Sequence, residues 1–132
     1  MLSVARANLA KSPVARKLSV RHGDICSLPM REQSYDLITL HQVLHYANDP
    51  QRVIQEAARV LRPGGNMLVV DFAPHELDYL RHQHAHRRLG FSDEEVLRWL
   101  REAGLNAGTP EHLPGNPLTV TIWPAKSGVT CR

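Results

Sequence analysis

Two histidines four positions apart carry the first chemical signal. The run His41-Gln42-Val43-Leu44-His45-Tyr46 directly follows the apolar stretch Leu37-Ile38-Thr39-Leu40. An unperturbed imidazole titrates near neutral pH, so either ring is suited to take a proton from a reacting group. The alternative is that one ring lines a pocket passively and the other packs on the next helix. A second group, Asp71, His75, His82, His84 and His86, consists of metal-ligand types. His82 and His86 share a helical face, and His84 points elsewhere. A zinc or iron site would draw on such residues, but the spacing has no metalloenzyme signature such as His-Glu-x-x-His. No metal is expected. The segment reads instead as a polar lid over a substrate, with Arg87 and Arg88 solvated or meeting an anionic group.

The elements that must position these residues can be read from the same chain. Met1 to Ala10 has helical spacing, with Leu2, Ala5 and Leu9 near one face. Ser12-Pro13 breaks it, and Lys17 to His22 alternates as a strand does. Gly23-Asp24-Ile25 leads into a loop holding Leu28-Pro29. Leu37 to Leu40 is too evenly apolar for a sheet with one wet face, which predicts a buried parallel strand whose start Asp36 secures. Asp49 caps the next helix, and Pro50 takes its first position, where a missing N–H does no harm. Val53, Ile54, Ala57, Val60 and Leu61 form an apolar stripe. Pro63-Gly64-Gly65 stops the helix, with one glycine at positive φ. Met67 to Val70 is a second buried strand, ending in Asp71. In an open α/β sheet, ligands bind outside the carboxyl ends of parallel strands. Chemistry is therefore expected around His41 to Tyr46.

His75 to Arg88 reads as a helix ended by Gly90, with Leu77 and Leu80 inward. The helix beyond it has the clearest local signal. Ser92 and Glu95 form a capping box, Phe91 and Val96 staple across it, and Gly104 terminates it. Val96, Trp99, Leu100 and Ala103 face the core, as does Trp123. Two short strands are expected after Gly104. Leu118 to Trp123 alternates, behind a turn at Pro114-Gly115-Asn116-Pro117. From Ser127 the chain reads as a frayed tail.

The totals narrow the class. A chain of 132 residues makes at most one domain. A net charge of +3 with dispersed arginines does not point to nucleic acid or an anionic membrane. Cys26 and Cys131 form no metal or redox spacing, so a reducing, cytoplasmic setting is the default. Cys26 would be reactive only if exposed in an electropositive setting. No apolar run approaches a membrane span, and the N-terminus has no signal-peptide core.

An ordered set of motifs resembles a known family. It runs Arg21-His22-Gly23-Asp24-Ile25, Leu28-Pro29, Tyr35-Asp36-Leu37-Ile38, Val43-Leu44-His45-Tyr46, Asp49-Pro50, then Glu56-Ala57-Ala58-Arg59-Val60-Leu61-Arg62-Pro63-Gly64-Gly65. This resembles class I S-adenosylmethionine-dependent methyltransferases of type 11, close to the ubiquinone/menaquinone group. Val70-Asp71-Phe72-Ala73-Pro74-His75 and His84 to Ser92 resemble a subset often fused to ArsR-type regulators. The resemblance covers nearly the whole chain. Arg-Pro-Gly-Gly alone is unspecific, and the ordered set is what carries the match.

The resemblance implies a partial Rossmann-like α/β fold. Its sheet is mostly parallel, with helices on both faces and an antiparallel C-terminal strand. Residues 1–126 would be the C-terminal two-thirds of a methyltransferase domain and 127–132 a flexible tail. The cofactor would be S-adenosylmethionine and the partner a small-molecule acceptor, with no membrane and no direct nucleic acid contact. Asp24 would accept from the adenine amine, and the Ile25 backbone N–H would meet a ring nitrogen. His41 and Gln42 would lie beside the methionine part and the sulfonium. His41 or His45 would deprotonate the acceptor. The family's Gly-x-Gly-x-Gly loop is not found among the eight glycines. The two strands that flank that loop in the family would lie between Lys17–His22 and Leu37–Leu40. Without them, Leu37–Leu40 becomes an exposed edge, or the two remaining strands close up and pair. Impaired stability, cofactor binding and methyl transfer are therefore expected of this chain. The alternative function is a non-catalytic ligand-sensing domain of an ArsR-type transcriptional regulator.

Overall fold

The computed structural model describes residues 2–11, 18–75, 89–115 and 118–128. Helix α1 (Leu2–Ala10) forms where the apolar spacing placed it, and Arg6 Nη2 donates to the Val20 carbonyl at 3.5 Å. The expected strand at 17–22 is not seen. Lys17 lies outside the described residues, and Leu18 to His22 is irregular. A strand needs a hydrogen-bonding neighbour. Here the facing element, β1 (Tyr35–His41), stands across a cleft of ≈ 420 Å³ lined by Ser19 and Arg21 from this segment and by Tyr35, Leu37, Ile38, Thr39 and Leu40 from β1. The two segments therefore neither pair nor close up.

Strand β1 is parallel to β2 (Leu61–Phe72) and, among the described residues, is the end strand of the sheet. The burial expected for Leu37 to Leu40 is only half realised. Ile38 and Leu40 pack on the core, while Leu37 is 58% exposed, because β1 is an edge. Strand β5 (Val120–Ser127) is antiparallel to β2. Two short strands, β3 (Leu105–Ala107) and β4 (Glu111–Leu113), share its other edge. Four strands therefore run one way and β5 runs against them. Strand β5 also continues through Ser127, which pairs with Leu105 inside the segment expected to fray.

Helix α2 (Pro50–Val60) starts at Asp49, whose side chain accepts from the Arg52 N–H at 3.2 Å. Val53, Ile54, Ala57 and Val60 are buried, as their spacing requires. The chain passes directly into β2, which begins earlier than expected. Tyr35 pairs with Leu61 and Leu37 with Asn66, so Arg62 to Gly65 bulges out against Asp36 alone. Asp36 ties the bulge to β1 through Arg62 Nη1 at 3.1 and 3.2 Å. Gly64 takes φ +80°. A Cβ on Gly65 would lie 2.7 Å from Leu61 Cδ1 and 2.9 Å from two carbonyl oxygens.

Helix α3 (Asp93–Glu102) carries the expected capping box, with both Ser92–Glu95 bonds present. Val96, Trp99 and Leu100 join Met67, Val69, Trp123 and Ala125 in the core, on the same face of the sheet as α2. Each fully buried aliphatic chain stabilises by about 1.5–3 kcal/mol relative to exposure. The expected helix at 75–88 lies outside the described residues beyond His75, as does the Asn116-Pro117 part of the turn.

Candidate active site

The carboxyl ends of β1 and β2 lie side by side, and the residues just past them build the site. After His41 the chain turns sharply at Gln42, which takes φ +56°, an uncommon conformation for a residue with a Cβ. The Gln42 N–H donates to the Val70 carbonyl at 2.7 Å, which ties the turn to β2. A single 3-10 turn, Leu44–Tyr46, follows. It drives Leu44 and His45 into the core.

His45 meets Asp71 there. The imidazole Nδ1 lies 2.7 Å from Asp71 Oδ1, and the His45 backbone N–H donates to Oδ2 at 3.3 Å. The Phe72 N–H adds a third donor to Oδ1 at 2.9 Å. Side-chain exposure is 2% for His45 and 0% for Asp71. An ionised carboxylate only accepts, so Nδ1 carries a proton toward Asp71. Tyr46 and Phe72 pack on the imidazole with centroids at 4.2 and 5.2 Å, and His75 meets the edge of Phe72 at 6.1 Å. A fixed tautomer in an aromatic, dry setting is suited to holding or moving one proton.

His41 and His45 do not converge. Along β1 the side chains alternate, so His41 shares the face of Leu37 and Thr39, opposite that of the core residues Ile38 and Leu40. His41 is exposed. Asp71, grouped in the sequence with His75, His82, His84 and His86, is engaged with His45. His82, His84 and His86 lie outside the described residues.

Asp24 and Ile25 lie in a turn closed by an Asp24–Ser27 bridge, both exposed. Asp24 Oδ1 accepts from the Cys26 N–H at 2.8 Å. Helix α2 fastens the loop that follows. Glu56 Oε1 accepts from the Leu28 N–H at 2.8 Å, and Arg59 Nη2 donates to the Leu28 and Met30 carbonyls at 3.2 and 3.1 Å. Arg59 also bonds Glu56 at 2.6 Å. That hydrogen bond holds the Glu56 carboxyl below the usual carboxylate range and raises the Arg59 guanidinium in turn. Sequence reasoning missed this clamp and the His45–Asp71 pair. The i,i+3 spacing of Glu56 and Arg59 was a usable signal. An acid closing a buried strand was another.

Comparison with known proteins shows what the chain is similar to. The family described as "Methyltransferase domain" matches residues 1–69. The chain is 37% identical over 73 residues to the demethylmenaquinone methyltransferase of Desulfitobacterium hafniense, covering 55% of this chain and 29% of that protein. It is 33% identical over 118 residues to the 27-O-demethylrifamycin SV methyltransferase of Amycolatopsis mediterranei, covering 82% of this chain and 43% of that protein. The chain thus spans less than half the length of these curated relatives. Among solved structures, the [4+2]-cyclase SpnF superposes with a TM-score of 0.82 at 19% identity, over 98% of this chain and 63% of that one.

Proposed function

Because this chain belongs to the methyltransferase domain family, we propose that it contributes the base and the adenosine end of an S-adenosylmethionine-dependent methyl transfer to a small molecule. The cofactor supplies an electrophilic methyl on a sulfonium. The chain's own residues would orient the acceptor, exclude water and take up its proton. The observation that carries this reading is the buried His45 Nδ1–Asp71 Oδ1 contact at 2.7 Å, at the carboxyl ends of two parallel strands. Asp71 fixes the tautomer, and His45 Nε2 accepts a proton from the acceptor's hydroxyl, amine or thiol.

The residues present fit the adenosine half of the cofactor. Asp24 spends Oδ1 on its own turn and keeps acceptor capacity at Oδ2 for an exocyclic amine. The Ile25 N–H and the His41-Gln42 turn complete the proposed contacts. Residues 1–126 act in this reading as the C-terminal part of a domain whose glycine-rich loop lies outside the sequence. The greater length of the relatives and the exposed β1 edge support that assignment.

Titration calorimetry with S-adenosylhomocysteine tests the reading, on this chain and on a version extended by a family-like N-terminal third. Binding by the extended form is expected, with weak or no binding by the chain alone. If neither form binds, the cofactor roles of Asp24, Ile25, His41 and Gln42 fail.

A further inference from the structure

A strand at the end of a sheet keeps one row of backbone donors and acceptors unpaired. On β1 that row can be located. The N–H groups of Ser34 and Gln42 donate to the Val60 and Val70 carbonyls at 2.9 and 2.7 Å. Backbone groups of successive strand residues point to opposite edges, so the even-numbered residues face β2. Tyr35, Leu37, Thr39 and His41 direct their N–H and C=O groups away from it. Among the described residues none of these groups is hydrogen-bonded. The row is about 20 Å long, at about 3.3 Å per residue. Edges are commonly blunted by lysine or proline, and Tyr35–His41 carries neither. Its apolar side chains are in water instead, Leu37 at 58% and Tyr35 at 37% exposure.

The cleft of ≈ 420 Å³ follows the same edge. Ile38 and Leu40 line it from the core face of β1, Leu37 and Thr39 from the other face. Residues of both faces meet one cleft only where it runs along the rim of the strand. Leu28, Met30 and Val60 add apolar lining, and Arg21 adds a cation. Among the described residues Arg21 makes no hydrogen bond or ion pair, whereas Arg59 and Arg62 are both engaged by acids. We propose that this cleft takes up a β-strand from a second, different polypeptide, apolar for most of its length and carrying one carboxylate for Arg21. The incoming backbone pairs with Tyr35, Leu37, Thr39 and His41 and extends the sheet beyond β1. Main-chain bonds supply the affinity, and the apolar lining and Arg21 choose the side chains. A small molecule is too short to meet a row of groups this long. A second copy of β1 brings no carboxylate for Arg21, because its one acid, Asp36, is already bonded to Arg62.

The probe is a seven-residue peptide, the length of β1, with threonine and valine alternating around a central glutamate. Amide hydrogen exchange is followed by NMR in the nitrogen-15-labelled chain. At saturating peptide the Leu37, Thr39 and His41 amides should exchange at least about tenfold more slowly. The Ile38 and Leu40 amides, already turned to β2, should keep their rates. The same peptide N-methylated throughout has no N–H to pair and should give no protection. Glutamine in place of its glutamate should weaken binding about two- to fivefold, the worth of an exposed ion pair. Arg21→Gln should erase that difference. Unchanged exchange at the three amides overturns the proposal, as does equal protection by the N-methylated peptide. So does a glutamine peptide that binds as tightly as the glutamate one. Protection that grows with chain concentration before peptide is added would make the occupant a second copy, and overturns it too. No cofactor is present in this experiment, so a failed cofactor reading and a failed strand site show in different measurements.

Discussion

Glu56 and Asp71 are held alike and serve different ends. Each carboxylate accepts a backbone N–H and a side-chain nitrogen: Leu28 and Arg59 for Glu56, Phe72 and His45 for Asp71. The difference is water. The side chains of Arg59 and Glu56 are 32% and 15% exposed, against 2% and 0% for His45 and Asp71. A rim pair is screened and contributes little. A buried pair gives up its hydration and persists only when its geometry satisfies every donor. The rim pair fastens the loop behind Asp24. The buried pair is where a proton can be held away from solvent.

The largest effect should follow from breaking the buried pair. Asp71→Ala removes from a dry site the acceptor of the His45 Nδ1–H, the His45 backbone N–H and the Phe72 N–H. Removing one partner of such a pair costs about 3–5 kcal/mol, against a total stability of about 5–15 kcal/mol for a small domain. Urea unfolding should show the midpoint fall by that free energy divided by the slope, with the slope unchanged. A loss below about 1 kcal/mol, the level of an exposed pair, would mean that the contact is not buried in solution.

A second substitution sharpens the point. If the cost of Asp71→Ala is a stranded imidazole rather than a lost attraction, replacing both partners with apolar residues should recover much of it. His45→Leu with Asp71→Leu is expected to recover much of the about 3–5 kcal/mol lost in Asp71→Ala, because no imidazole is then stranded. It should also have lost any capacity to take a proton. A double variant no better than the single one would show that the site depends on polarity for its packing.

The contrast also separates what could be read from the sequence from what could not. Ser92–Glu95 and Asp49-Pro50 were legible because a cap is made by residues three apart. The stripes of α2 and α3 were legible because burial repeats with the helical period. His45 was singled out by type, but its partner lies 26 residues away and is met only when β1 and β2 pair. Asp71 was for that reason grouped with the histidines that follow it. The strand expected at 17–22 fails because alternation describes a side-chain pattern, whereas a strand also needs a neighbour for its backbone. Leu37 reads as core by type and is exposed by position, at the edge of the sheet.

The smallest effect belongs to the rim pair, and its sign with pH is fixed by its cause. Glu56→Gln keeps an oxygen for the Leu28 N–H and loses the charge that binds Arg59. A loss of about 1 kcal/mol at neutral pH is expected, that of a hydrogen bond to a charged group in partial contact with water. The Arg59 hydrogen bond lowers the Glu56 carboxyl in the folded chain. A depressed carboxyl contributes stability above its unfolded value, and the contribution disappears as the pH falls through the lower folded value. The gap between wild type and Glu56→Gln should therefore be constant from neutral pH down to the ordinary glutamate range near pH ~4.3. It should close below that. A gap that widens in acid would mean that Glu56 binds its proton more tightly folded than unfolded, and the clamp on the Asp24 loop would need another explanation.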